Sequence, residues 1–146
     1  MVLNNYRSLM VGKSSNASVF FKDESGTEKN VAYSQFGALS VNSKIVVGDS
    51  DVETPTQEDV TNYKLDNDIT SQFTITTATT GTVIHDGNTD RLSIGCKYKN
   101  ETGADIIIKE YGLEYPGQTC LLTRKVLDDP ITVHDGEYLV VSLVIG

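Results

Sequence analysis

The feature that most constrains this chain is its last run, Tyr138 to Ile145, which reads Y-L-V-V-S-L-V-I. Leu139, Val141, Leu143 and Ile145 share one parity, and Tyr138, Val140 and Val144 share the other. Successive side chains of a strand point to opposite faces. A strand that is apolar on both parities is buried on both faces, so it must lie inside a sandwich or be covered by another subunit. The expectation is an all-β domain whose sequence ends in its core, with a subunit interface as the second way to cover that strand.

The residues leading up to it support the same class. From Asp105 onward the chain reads as strands in succession, D-I-I-I-K-E-Y-G-L-E-Y, C-L-L-T-R-K-V-L, P-I-T-V and the final run. The joints are Tyr115-Pro116-Gly117-Gln118, Asp128-Asp129-Pro130 and His134-Asp135-Gly136-Glu137. Proline presets the φ of a turn, glycine accepts positive φ, and aspartate bonds its own backbone.

Upstream, residues 1–16 have no periodicity and read as an extended arm or a short first strand, an anchor to a neighbour, with residues 17–146 forming one sandwich domain. A first hairpin is expected from Ala17–Phe21 and Lys29–Tyr33 around a turn at Asp23–Thr27, and a short strand over Lys44–Val47. The stretch Gly48 to Asp68 is the least strand-like. Thr54 as cap, Pro55 at the first helical position and the acidic run Gln57-Glu58-Asp59 suit one short helix. From Ile69 the β pattern resumes through T-I-T-T-A-T-T-G-T-V, whose β-branched residues favour a pleated surface. After a turn at His85-Asp86-Gly87-Asn88 comes the cleanest alternation, with Leu92, Ile94, Cys96 and Tyr98 opposite Arg91, Ser93, Gly95, Lys97 and Lys99. Asn100-Glu101-Thr102-Gly103 then turns the chain into the Ile106-Ile107-Ile108 strand. The sum is about eight strands with at most one short helix, a β-sandwich of jelly-roll or immunoglobulin-like type.

Composition narrows the function. A chain of 146 residues can bury roughly 70% of its unfolded surface without a metal or disulfide. Twelve Lys and Arg against twenty Asp and Glu give a net charge of −8, which repels phosphate backbones, so nucleic acid is not an expected partner. Residues 1–12 lack the apolar run of a signal peptide or membrane span, and the expectation is a soluble protein made in a cytoplasm, without a membrane partner. Cys96 and Cys120 both fall in expected strands and read as isolated buried thiols.

Each group that resembles chemistry has a plainer explanation. Gly12-Lys13-Ser14 looks like the end of a phosphate loop, but the position where the motif needs its first glycine is Arg7. His85 and His134 both sit in His-Asp-Gly, which turn chemistry explains. Asp49-Ser50-Asp51-Val52-Glu53 spaces carboxylates as calcium loops do, without the glycine and distal glutamate that complete one. Asn16-Ala17-Ser18 and Asn100-Glu101-Thr102 match the glycosylation triplet, which matters only in a secreted chain. Glu110 and Glu114 share a parity that Arg124 and Lys125 can meet from the next strand, as cross-strand salt bridges. No catalytic set and no cofactor site emerge, and the expectation is a non-enzyme.

Three pieces occur in order: I-V-V-G-D-S-D-V-E-T-P-T-Q-E-D-V-T-N-Y-K-L from Ile45, K-Y-K-N-E-T-G-A-D-I-I-I-K-E-Y-G-L-E-Y from Lys97, and L-L-T-R-K-V-L-D-D-P-I-T-V-H-D-G-E-Y-L-V-V-S-L-V-I from Leu121. In this order they resemble a group of small β-rich virion proteins of tailed bacteriophages. The shared features are a polar loop leading to Pro-Thr, a strand with Glu-x-Gly-Leu after an Asn-x-Thr-Gly turn, and an Arg-containing strand. A Pro-Ile-x-Val step and a final apolar strand complete the pattern. The resemblance implies a structural protein of the phage particle, a head decoration, head fibre, tail or baseplate component located in the virion and made in the host bacterial cytoplasm. Its expected partners are itself, as a homotrimer, and other virion proteins. The expected interface is Arg124, whose guanidinium can tie strands or subunits, with Tyr138, Leu139, Val141, Leu143 and Ile145 of the last strand. The rival reading is a β-sandwich that binds carbohydrate or a host surface through loop tyrosines such as Tyr111 and Tyr115.

Overall fold

The computed structural model describes residues 10, 18–23, 25–31, 43–52, 65–115 and 120–145. The N-terminal arm (Met10 aside), the phosphate-loop look-alike, Asn16 and the helix expected after Thr54 lie outside the described residues. Eight antiparallel strands run in order: β1 (Val19–Lys22), β2 (Glu28–Val31), β3 (Lys44–Gly48), β4 (Phe73–Asp86), β5 (Thr89–Asn100), β6 (Ile106–Tyr115), β7 (Cys120–Val133) and β8 (Tyr138–Ile145). A 3-10 turn, Thr70–Gln72, leads into β4. The protein is an all-β sandwich, as its alternating apolar pattern requires.

The strands form two three-stranded sheets, β3-β6-β7 and β4-β5-β8, and a separate β1-β2 hairpin that lies against β7. The hairpin turn is held by Asp23, whose carboxylate accepts bonds from the Ser25 hydroxyl at 2.6 Å and from the backbone N–H groups of Ser25 and Thr27 at 3.0 and 2.9 Å. These donors, the Ser25 hydroxyl first, hold its pKa down at about 2.

The core lies between the two sheets. β5 contributes Ile94, Cys96 and Tyr98, with Leu92 half-buried at the edge, which is the face its alternation assigns. Ile45, Val47, Leu113, Tyr115, Cys120 and Leu122 meet them from the facing sheet. The Tyr98 hydroxyl crosses the gap and donates to the Ile45 carbonyl, so this large buried side chain satisfies its one polar group on the opposite sheet.

A break in register changes which side chains of β6 face inward. The β6–β7 register shifts between Ile108 and Glu110, so Ile106 and Ile108 enter the core before the shift and Leu113 and Tyr115 after it. The residues between, Glu110 and Gly112, turn to the outer side of the sheet, where Val46, Leu65 and Leu121 make a second small cluster. Opposite the same shift, β7 runs unbroken through Asp128-Asp129-Pro130, where the sequence suggests a turn between two strands. Pairing lapses there: Val126 pairs with Glu110, Ile131 pairs with Ile108, and the residues between have no partner in register. β7 is an edge strand, and an edge tolerates a proline that has no N–H to donate.

The far end of the sandwich is organised by Asn100, which is fully buried. Its amide nitrogen donates to the carbonyls of Ala104 (2.7 Å) and Val133 (2.8 Å), and its oxygen accepts from the N–H and hydroxyl of Thr102. The backbone N–H of Asn100 donates to Glu137, and that of Gly136 to Asn100. One side chain therefore ties the β5–β6 turn to the β7–β8 turn, and its amide hydrogens are committed inside the fold.

Candidate functional site

The last strand is where structure and sequence expectation part in an informative way. β8 pairs with β5 in an unbroken register from Lys99–Tyr138 to Leu92–Ile145, and among the described residues no strand lies beyond it in its sheet. Leu139 is buried, and Val141, Leu143 and Ile145 pack half-buried against the core. The opposite face is not covered: Tyr138, Val140 and Val144 are 52%, 70% and 56% exposed. The expectation that this strand lies inside the sandwich on both faces is therefore corrected. Among the described residues the sheet has a second layer on one side only, so one parity of β8 meets the core and the other is exposed.

The outer face around these residues is defined by cross-strand neighbours, since directly opposed residues of an antiparallel pair share a face. Tyr138 lies opposite Lys99, Val140 opposite Lys97, Ser142 opposite Gly95 and Val144 opposite Ser93. The Lys97 ammonium sits 4.2 Å from the centre of the Tyr138 ring, with that of Lys99 at 5.7 Å, an arrangement in which cation and ring quadrupole attract. Ser93 and Ser142 share a hydrogen bond of 3.2 Å across the strands. The result is an apolar stripe along an open sheet edge, backed by two lysines on a chain that is acidic overall.

Arg124 sits elsewhere and is engaged within the chain. Its Nε donates to Glu110 Oε2 at 2.7 Å, and Nη2 donates to the Val52 carbonyl at 2.7 Å. Glu110 is fully buried and Arg124 is 6% exposed. The Glu110 carboxylate also accepts from the backbone N–H of Asn67 (2.9 Å) and Asp66 (3.3 Å). The pair thus pins the segments 49–52 and 65–68 onto the outer face of the β3-β6-β7 sheet. Gly48 allows that close approach: a Cβ there would come within 2.5 Å of the Asn67 carbonyl and of Glu110. The cross-strand pairing of Glu110 with Arg124 follows the sequence reading, but the sealing by Asp66 and Asn67 was not foreseen. A glycine facing a glutamate in otherwise apolar strands was the only available signal.

The remaining candidates resolve into structural roles. In the Asp49–Val52 loop, Asp49 accepts from the Asn67 amide at 2.5 Å, Ser50 donates to Asp66, and Asp51 pairs with Lys109 at 3.3 Å. Among the described residues, no group of three or more His, Cys, Asp and Glu gathers to hold a metal ion. His85 and His134 each bond an aspartate, Asp90 at 2.7 Å and Asp105 at 2.9 Å, on exposed turns. The Asp105 carboxylate pushes the His134 pKa above its ordinary 6.5 by hydrogen bonding and by its charge. Cys96 and Cys120 are free and buried, and burial raises both thiols to about 11. Tyr115 is a core residue and Tyr111 packs against the core from β6, so neither is the loop tyrosine that a sugar platform needs. No helix among the described residues is long and apolar enough to cross a membrane.

In comparison with known proteins, no family model, no curated protein and no solved structure matches the chain.

Proposed function

We propose that this protein is a non-enzymatic structural component of a tailed-bacteriophage particle, a head decoration, head fibre, tail or baseplate subunit that works by assembling with copies of itself and docking onto other virion proteins. The observation that carries the assembly half is the exposed apolar face of β8, because an open, flat, apolar sheet edge is a template for pairing with another chain. The ordered resemblance of the segments from Ile45, Lys97 and Leu121 supports the virion half.

The test is compositional. Particles purified from a lysate of the phage that encodes this chain should contain it at a fixed ratio to the other particle proteins by quantitative mass spectrometry. A chain that stays wholly in the soluble fraction, with none on particles, overturns the virion reading.

A further inference from the structure

The four exposed edges of the two sheets are not equivalent. β3 is only five residues long, and its end is bridged by Asp68. β7 carries Pro130, Asp128, Asp129 and a lapse in pairing. β4 is shifted in register twice, between Ile75 and Thr77 and again between Thr77 and Thr80. Short length, proline, charge and bulges are the devices by which natural edges avoid pairing with other chains. β8 has none of them: eight residues, no proline, no charged side chain and no shift against β5.

We propose that β8 of one copy pairs antiparallel with β8 of a second, joining the two three-stranded sheets β4-β5-β8 into one continuous sheet about a twofold axis. This rests on the self-association half of the function above and not on the virion half. A ladder needs an unbulged, uncharged partner along its whole length, and β8 is the one described edge that offers it. Threefold closure would set β8 of each copy against a different edge of the next, and each of the others is bulged, short or charged. Charge points the same way. On a chain of net charge −8, most surfaces bring acid against acid, whereas β8 against β8 opposes no charges at all. Lys97 and Lys99 stand on β5, so their counterparts in the second copy lie three strand spacings away, roughly 14 Å. That exceeds the screening length of about 8 Å at physiological salt.

The symmetry also fixes the faces. Antiparallel strands related by a twofold have the axis normal to the sheet, so Tyr138, Val140, Ser142 and Val144 of both copies line one side. The register centred on Ser142 sets Val140 of each copy opposite Val144 of the other, which gathers all four exposed valines into one stripe.

The experiment is the solution mass of the intact chain by sedimentation equilibrium over micromolar to millimolar concentration, for wild type and for Val140→Lys/Val144→Lys. Both valines are largely exposed, so the lysines should leave the far-UV spectrum unchanged. The expected result is a wild-type mass of twice 15.9 kDa and a double variant whose self-association is weakened at least about 100-fold. Should the double variant lose its β spectrum, Val140→Thr alone is read for the same weakening. A mass of three copies overturns the twofold while leaving self-association standing. A monomer throughout overturns both, and association unaffected by the substitutions overturns the assignment to β8.

Discussion

Replacing Arg124 by methionine isolates the buried pair that holds segments 49–52 and 65–68 to the sheet. The substitution removes the 2.7 Å bond to Glu110 and the 2.7 Å bond to the Val52 carbonyl, while the methionine fills much of the space. What remains is a fully buried carboxylate with only the N–H groups of Asn67 and Asp66 as donors. Removing one partner of such a pair costs about 3–5 kcal/mol, mostly from the uncompensated charge. With a urea slope of about 2 kcal/mol/M, the unfolding midpoint should fall by about 2 M. Adding Glu110→Gln should then recover roughly 2 kcal/mol, because the buried charge is gone while the carbonyl oxygen can still accept from Asn67. The measurement is a urea double-mutant cycle. A loss of less than about 1 kcal/mol in Arg124→Met would mean that water reaches the pair and that the two segments do not seal it.

Asn100→Ala removes the buried side-chain donor of the Val133 carbonyl together with the bonds to Ala104 and Thr102, which should cost about 3 kcal/mol and lower the melting temperature by about 10 °C in a thermal scan. His134 should titrate above 6.5 in an NMR pH series and fall back when Asp105 is changed to Asn. Because the folded pKa is the raised one, the stability this pair contributes is fully present below pH 6.5 and is lost as pH rises through the folded value. Both thiols, buried and raised to about 11, should resist iodoacetamide at pH 8 in the native protein and react once urea unfolds it.

Much of the fold was legible because turn chemistry and two-residue periodicity are local. The alternation of Leu92, Ile94, Cys96 and Tyr98 gave the inner face of β5, and Gly87-Asn88 gave the turn before it. Bulges are not local. The step from Ile106 and Ile108 to Leu113 and Tyr115 changes parity within one strand, and only the facing lapse in β7 explains it. The same lapse hid the continuity of β7, since Asp-Asp-Pro reads as a turn wherever it falls. For β8, the pattern showed two apolar faces, but whether a face is covered depends on what stacks against the sheet. Arg124 was legible as a residue that ties strands; that its tie would be to Glu110 under a folded-over segment depended on contacts distant in sequence.

The most direct test of an edge completed by a second copy is amide exchange along β8, followed by mass spectrometry at two protein concentrations. Amides of Tyr138–Ile145 that face away from β5 have no ladder partner among the described residues of one chain. They should be protected at high concentration and exchange freely on dilution, while the amides of β5 stay protected at both. Protection of β8 that does not change with concentration would contradict the pairing of copies through this strand.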